Sequence, residues 1–179
     1  MKWRENFRGI RLCIVAIGLI AGCSQAGPAR VADVQGVKNL SRDGDIYIAG
    51  TPTPEGLEEL KRRGVKTVID LRQPKEGTAE EEAAARALGL RYINIPMESD
   101  KFTDAQASAV LEAMEQAGGE PVLMHCAGAS RAGAAYGLYL GKTDKCPTAE
   151  AIERARAAGM KNPKLEADMT RELNENADE

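Results

Sequence analysis

Histidine is the scarcest functional residue of this 179-residue chain, which has one, His125. That excludes zinc sites built on paired histidines and any chemistry that needs two imidazoles. Aromatic residues make up 4%, with one Trp, two Phe and four Tyr, so little is available to stack on an aromatic ligand. Basic residues do not exceed acidic ones, 24 against 27, and the electrostatic footprint of a nucleic-acid binder is missing. The four cysteines form no CxxC pair, which fits neither a zinc knuckle nor a thioredoxin-like dithiol. No apolar run reaches the roughly 20 residues that span a bilayer comfortably. What is present, 43% hydrophobic and 28% charged residues, describes an ordinary globular chain of one domain plus appendages. Its chemistry must come from Cys, Asp or Glu, Arg, Ser or backbone groups.

The first residues read as an address. Lys2, Arg4, Arg8 and Arg11 stand against Glu5, the apolar run Leu12 to Ile20 follows, and Ala21, Gly22 and Cys23 close the segment. A basic start, a short apolar stretch and a small-residue exit predict a secretory signal over 1–22. Ile20-Ala21-Gly22-Cys23 also resembles the lipobox of bacterial lipoproteins. That resemblance implies cleavage before Cys23 and a diacylglycerol on its thiol, hence an exported, membrane-anchored protein facing the periplasm. Ser24 stands where lipoproteins retained at the inner membrane often carry Asp, which favours the outer membrane. Without residues 1–22 the chain keeps 20 basic and 26 acidic residues, so an anionic substrate must be drawn by a local site.

Residues 23–36, rich in Ser, Gln, Gly, Pro and Ala, are expected to tether a domain spanning 37–179. Arg42-Asp43-Gly44 before Ile46-Tyr47-Ile48 suggests a hairpin. Thr53-Pro54 opens a helix that stops at Gly64, and Lys66 to Leu71 is a strand. Thr78-Ala79-Glu80-Glu81 reads as a capping box opening a helix to Gly89, and Arg91 to Ile95 is a strand. Thr103-Asp104-Ala105-Gln106 is a second capping box, with its helix ending at Gly118-Gly119. Pro121 to His125 is an apolar strand, Ser130 to Leu140 a helix, and two charged helices follow from about 148. Strands alternating with helices predict an α/β fold, a mostly parallel central sheet flanked by helices on both faces. Ligands bind beyond the carboxyl ends of such strands. The loops Arg72–Gly77, Pro96–Phe102 and Cys126–Arg131 are therefore expected to converge.

Cys126-Ala127-Gly128-Ala129-Ser130-Arg131 links the last strand to a helix through small residues. Such a loop can curl until successive N–H groups point into one cup, and the helix N-terminus adds its positive end. Arg131 offers a planar fork for a tetrahedral anion, and the same surroundings favour a cysteine thiolate. His125-Cys126, a small loop, Arg131 and Gly133 resemble the phosphate loop of cysteine-based protein tyrosine and dual-specificity phosphatases. The likeness is greatest to small bacterial beta-lactamase-hydrolase-like members. It extends upstream through Gly50-Thr51-Pro52-Thr53-Pro54, Gly64 to Arg72 and Ile95-Pro96-Met97, about residues 37–142.

The resemblance implies a metal-independent phosphomonoesterase needing no cofactor, with a phosphorylated substrate and a cysteinyl-phosphate intermediate. Cys126 is then the nucleophile, Arg131 the phosphate clamp, and the amides of Ala127, Gly128, Ala129, Ser130 and Arg131 the cradle. It also implies a loop-ordering role for His125 through hydrogen bonds. The chain departs from the pattern twice: four residues, not five, separate Cys126 from Arg131, and Ala132 replaces the usual hydroxyl residue. Slow hydrolysis of the phosphoenzyme is the expected consequence. A general acid is implied in Glu98-Ser99-Asp100-Lys101-Phe102; Asp100 is the first candidate and Glu98 the second, while Asp104 belongs to a helix first turn. Asp70 and Arg72 either line the pocket or pair with each other, and Cys146 is a spare thiol. Two alternatives stand beside the phosphatase: a rhodanese-like sulfurtransferase, and a phosphate-binding module without turnover.

Overall fold

The computed structural model describes residues 27–31, 34–143 and 146–175. Six strands, β1 (Ala29–Arg30), β2 (Ser41–Asp43), β3 (Ile46–Ala49), β4 (Thr67–Asp70), β5 (Arg91–Asn94) and β6 (Val122–His125), form one sheet in the order β1-β2-β3-β6-β4-β5. The β1–β2 and β2–β3 pairs are antiparallel, and β3, β6, β4 and β5 run parallel. The helices are α1 (Pro54–Arg62), α2 (Thr78–Ala87), α3 (Asp104–Ala117), α4 (Ser130–Thr143), α5 (Thr148–Ala158) and α6 (Pro163–Asn174).

Two cores follow from strand alternation. Tyr47, Ala49, Val68 and Leu123 face Leu57 and Leu60 of α1 and Ala85 of α2. Ile48, Ile69 and Met124 face the other way, into a larger core built by α3 to α6. Strand β6 is threaded last, into the slot between β3 and β4, where the covering helices change face. That is where parallel sheets open a crevice at their carboxyl ends.

Local chemistry explains most of the element boundaries. Thr53 caps α1 by accepting from Gly56 N at 3.2 Å, with Pro54 in the first turn. The Thr103–Gln106 capping box opens α3 as predicted, with both reciprocal bonds made. The box predicted at Thr78 is not there. Gly77, at φ 85°, precedes α2, so the helix begins at Thr78 and Thr78 is not its cap. Glu81, which was to return to that cap, is buried and pairs with Arg72. A buried carboxylate gains more from a buried guanidinium than from one amide.

The folded part also starts earlier than residue 37. Residues 29–30 pair with β2 and Val34 is buried, so the second half of the predicted tether belongs to the domain. Glycines let α5 and α6 close on α4: a Cβ at Gly133 would meet Met160 N at 2.6 Å, and one at Gly137 would meet Ala155 Cβ at 2.7 Å. The predicted signal over 1–22 and Cys23 lie outside the described residues. Among those described, no helix is long and apolar enough to cross a membrane.

Candidate active site

The loop 126–131 lies at the carboxyl end of the central strand, and its carbonyls face away from its inner side. Thr51 Oγ1 donates to Cys126 O at 3.3 Å, Thr51 N to Ala127 O at 3.4 Å, and Asn39 Nδ2 to Gly128 O at 3.3 Å. Peptide N–H groups point opposite to their carbonyls, so these bonds turn the following amides inward. Ala129 takes φ 79°, a left-handed conformation rare outside glycine, which the tight curl requires. Its carbonyl accepts from Gly133 N at 2.8 Å and starts α4, whose first-turn amides lack intrahelical acceptors. Cys126 is buried at the base, and Ala127 and Gly128 are exposed at the rim.

Arg131 is 6% exposed and fixed from one side. Its Nη1 donates to Met97 O at 2.9 Å, Leu71 O at 3.2 Å and Glu76 Oε2 at 2.8 Å, and Nη2 donates to Glu76 Oε1 at 2.8 Å. The three expected loops therefore meet on one guanidinium. Glu76 grips the Nη1–Nη2 edge, which leaves the Nε–Nη2 edge, a second two-donor fork, for an anion, and the Cys126 side chain interacts with the same guanidinium. The Glu76 carboxylate raises the Arg131 pKa above its usual value against the opposing effect of burial, and the Cys126 side chain adds to the rise. In return the Arg131 bonds hold the Glu76 carboxyl below the ordinary glutamate range, against burial and with help from Gln73 N.

Beneath the loop lies a buried polar cluster. Arg72 donates through Nε and Nη2 to Asp70, through Nη2 to Glu81 at 2.7 Å, and through Nη1 to Glu76 O at 3.1 Å. Tyr92 Oη donates to Asp70 Oδ2 at 2.6 Å. Burial pushes the Asp70 carboxyl up, but the Arg72 bonds, the neighbouring His125, the Tyr92 hydroxyl and the Arg72 amide outweigh it, and the net shift is down. Asp70 and Arg72 thus pair, as one of their two expected roles had it. Ligand atoms of Asp70, Glu81 and His125 lie within 4.8 Å of one another, a donor set suited to a metal ion, but the Arg72 guanidinium already supplies the cation there.

His125 faces the α2 side, its Nε2 2.7 Å from Glu81 Oε1 and 3.7 Å from Asp70 Oδ1. The shorter contact lacks hydrogen-bond alignment, and neither ring nitrogen bonds the loop. The hydrogen bonds expected to order the loop from His125 are absent, because its strand parity points the ring away from the cradle. Asp100 is exposed and pairs with α6, where Lys164 Nζ lies 3.1 Å from Oδ2, and Asn162 Nδ2 donates to Ser99 O at 3.0 Å. Glu98 is exposed immediately after Met97, whose carbonyl touches the clamp. Ser130 Oγ accepts from Lys161 N at 3.1 Å, so its hydroxyl is engaged with the α5–α6 junction. Neither Cys126 nor Cys146 forms a disulfide, and Cys146 is buried in the larger core.

A family described as DSP-PTPase phosphatase fused to NAD+ kinase matches residues 28–173. The chain belongs to that family. Its members and structural neighbours are cysteine-dependent phosphatases, the class to which Cys126 and Arg131 point. A beta-lactamase hydrolase-like protein of Agrobacterium fabrum is 35% identical over 98 residues, 52% of this chain and 22% of that protein. The dual specificity protein phosphatase TpbA of Pseudomonas aeruginosa is 28% identical over 167 residues, covering 84% of this chain and 74% of that protein. The chain spans about a fifth to a third of the beta-lactamase hydrolase-like relatives. Among solved structures, a DUF442 protein of Shewanella putrefaciens CN-32 superposes with TM-score 0.67 at 25% identity, covering 82% of this chain and 98% of that one. TpbA in complex with pTyr superposes with TM-score 0.65 at 22% identity, covering 84% and 90%, a likeness of fold.

Glu76 is the residue that sequence reasoning missed. The loop 72–77 stands out in the sequence for its position, and Arg72 alone within it carries an expected role. The available signal was Gln73-Pro74-Lys75-Glu76, in which a proline-started turn three residues long returns its glutamate to Gln73 N.

Proposed function

We propose that the chain is a metal-independent phosphomonoesterase that acts through a cysteinyl-phosphate. One observation carries this reading: Arg131 is fixed by Glu76, Leu71 and Met97, its second fork left for an anion, and interacts with the Cys126 side chain at the start of the curled loop. Phosphate oxygens take the loop amides and that fork while the Cys126 thiolate attacks phosphorus in line. The S–P bond forms, the ester P–O bond breaks, and the leaving oxygen takes a proton from Asp100 after the acid loop releases Lys164. Water then hydrolyses the S–P bond. The pTyr complex of TpbA supports an aryl phosphate, on a peptide or a small molecule, as the substrate class.

The test is hydrolysis of p-nitrophenyl phosphate with EDTA present, beside a thiosulfate–cyanide assay. Turnover lost in Cys126→Ser and blocked by vanadate supports the reading. Thiocyanate formation would assign a sulfurtransferase instead, and tight vanadate binding without turnover a phosphate-binding module. We also propose that Cys23 carries lipid and anchors the protein to a membrane facing the periplasm. Metabolic labelling with palmitate that survives Cys23→Ser would overturn that.

A further inference from the structure

The phosphate loop has two ends, His125-Cys126 at the strand and Arg131 in α4, and a chain of polar contacts joins them outside the loop. His125 Nε2 lies 2.7 Å from Glu81 Oε1, and Glu81 Oε2 lies 2.7 Å from Arg72 Nη2. Arg72 Nη1 donates to the Glu76 carbonyl at 3.1 Å, and both Glu76 carboxylate oxygens accept from Arg131 at 2.8 Å. Asp70 fixes Arg72 by charge, and Asn94 Nδ2 donates to the carbonyls of both residues. Arg72 is 4% exposed and Glu81 8%, whereas the Glu76 side chain is 28% exposed at the outer end.

We propose that Arg72 is a positioning residue for the phosphatase reaction, holding Glu76 so that Arg131 is set at a fixed offset from Cys126. The proposal rests on the phosphomonoesterase reading. A free arginine side chain samples many rotamers, a freedom that substrate must otherwise remove on binding. Here the Pro74–Glu76 turn removes it beforehand, and Arg72 anchors that turn to the layer carrying His125. Lysine cannot replace Arg72, because one ammonium cannot reach Asp70, Glu81 and the Glu76 carbonyl together.

The test compares Arg72→Lys, Glu76→Ala, the double variant and Tyr92→Phe. Tyr92→Phe loosens the same buried cluster at Asp70 but leaves the bridge intact. Each is measured for kcat and KM with p-nitrophenyl phosphate, for vanadate affinity and for melting temperature. Arg72→Lys and Glu76→Ala are each expected to weaken vanadate binding and kcat/KM by about tenfold or more, and the double variant to be no worse than either. Tyr92→Phe is expected to lower the melting temperature while kcat/KM stays within about twofold. Arg72→Lys that lowers only the melting temperature, or losses that multiply in the double variant, would overturn the proposal. If Arg72→Lys does not fold, Glu81→Gln takes its place and the same comparison decides. Vanadate affinity reads the positioning even without turnover, so failure of the phosphomonoesterase reading is seen separately, in the wild-type assay.

Discussion

At the residue scale, two carboxylates, Asp100 and Glu98, compete for the role of proton donor. Asp100 was the first candidate and its loop does border the site, since Met97 O bonds the clamp. Its carboxylate, though, lies against Lys164, and Glu98 is the first exposed carboxylate after Met97. Leaving-group dependence separates the two. Loss of a general acid matters little for p-nitrophenolate and much for phenolate, which needs the proton more. Asp100→Asn is expected to lower kcat/KM on phenyl phosphate by about 10²-fold or more while sparing kcat/KM on p-nitrophenyl phosphate. Should Glu98→Gln show that pattern and Asp100→Asn none, the donor is Glu98. Ala132 stands where the usual hydroxyl residue would assist thiolate departure. A pre-steady-state burst of p-nitrophenol is therefore expected, and a linear time course would show that phosphorylation of Cys126 limits turnover.

At the element scale, what could be read from sequence was what local chemistry decides. Helices α1 and α3 begin at their predicted caps because Thr53 and Thr103 bond amides within three residues. The failed box at Thr78 shows the limit, since Glu81 is claimed by Arg72, nine residues away in sequence and adjacent only once the sheet has formed. The same holds for the site. Cys126, Arg131 and the curled loop are contiguous and therefore visible, whereas Glu76 reaches Arg131 across 55 positions and Lys161 reaches Ser130 across 31. The seating of α5 and α6 on α4 depends on side chains that are absent. Gly137→Val places methyls where Ala155 and Met169 already stand. Overpacking of this kind costs about 1–3 kcal/mol or more. Urea unfolding is expected to show that loss, and an unchanged midpoint would mean that α5 can lift away freely.

At the scale of the whole molecule, acid stability should follow the buried cluster more than the surface. Glu59 and Glu166 have lowered pKa values from exposed arginine pairs, which salt screens. Asp70 is fully buried, and its lowered pKa means that the folded state prefers its charged form. The sign follows from linkage. Such a group stabilises the fold above the unfolded-state pKa of about 3.9, and that contribution is lost as pH falls through the lower folded-state value. Glu172 runs the other way, since burial raises its carboxyl, and its contribution fades as pH rises. Asp70→Asn removes the carboxylate that Arg72 Nε and Nη2 bond and leaves Glu81 to hold the buried guanidinium, at a cost on the order of 3 kcal/mol at neutral pH. Thermal melts from about pH 7 to pH 3 are expected to show the gap between wild type and Asp70→Asn narrowing on acidification. A gap constant over that range would mean that Asp70 does not govern the acid limb, and that the layer beneath the phosphate loop tolerates protonation.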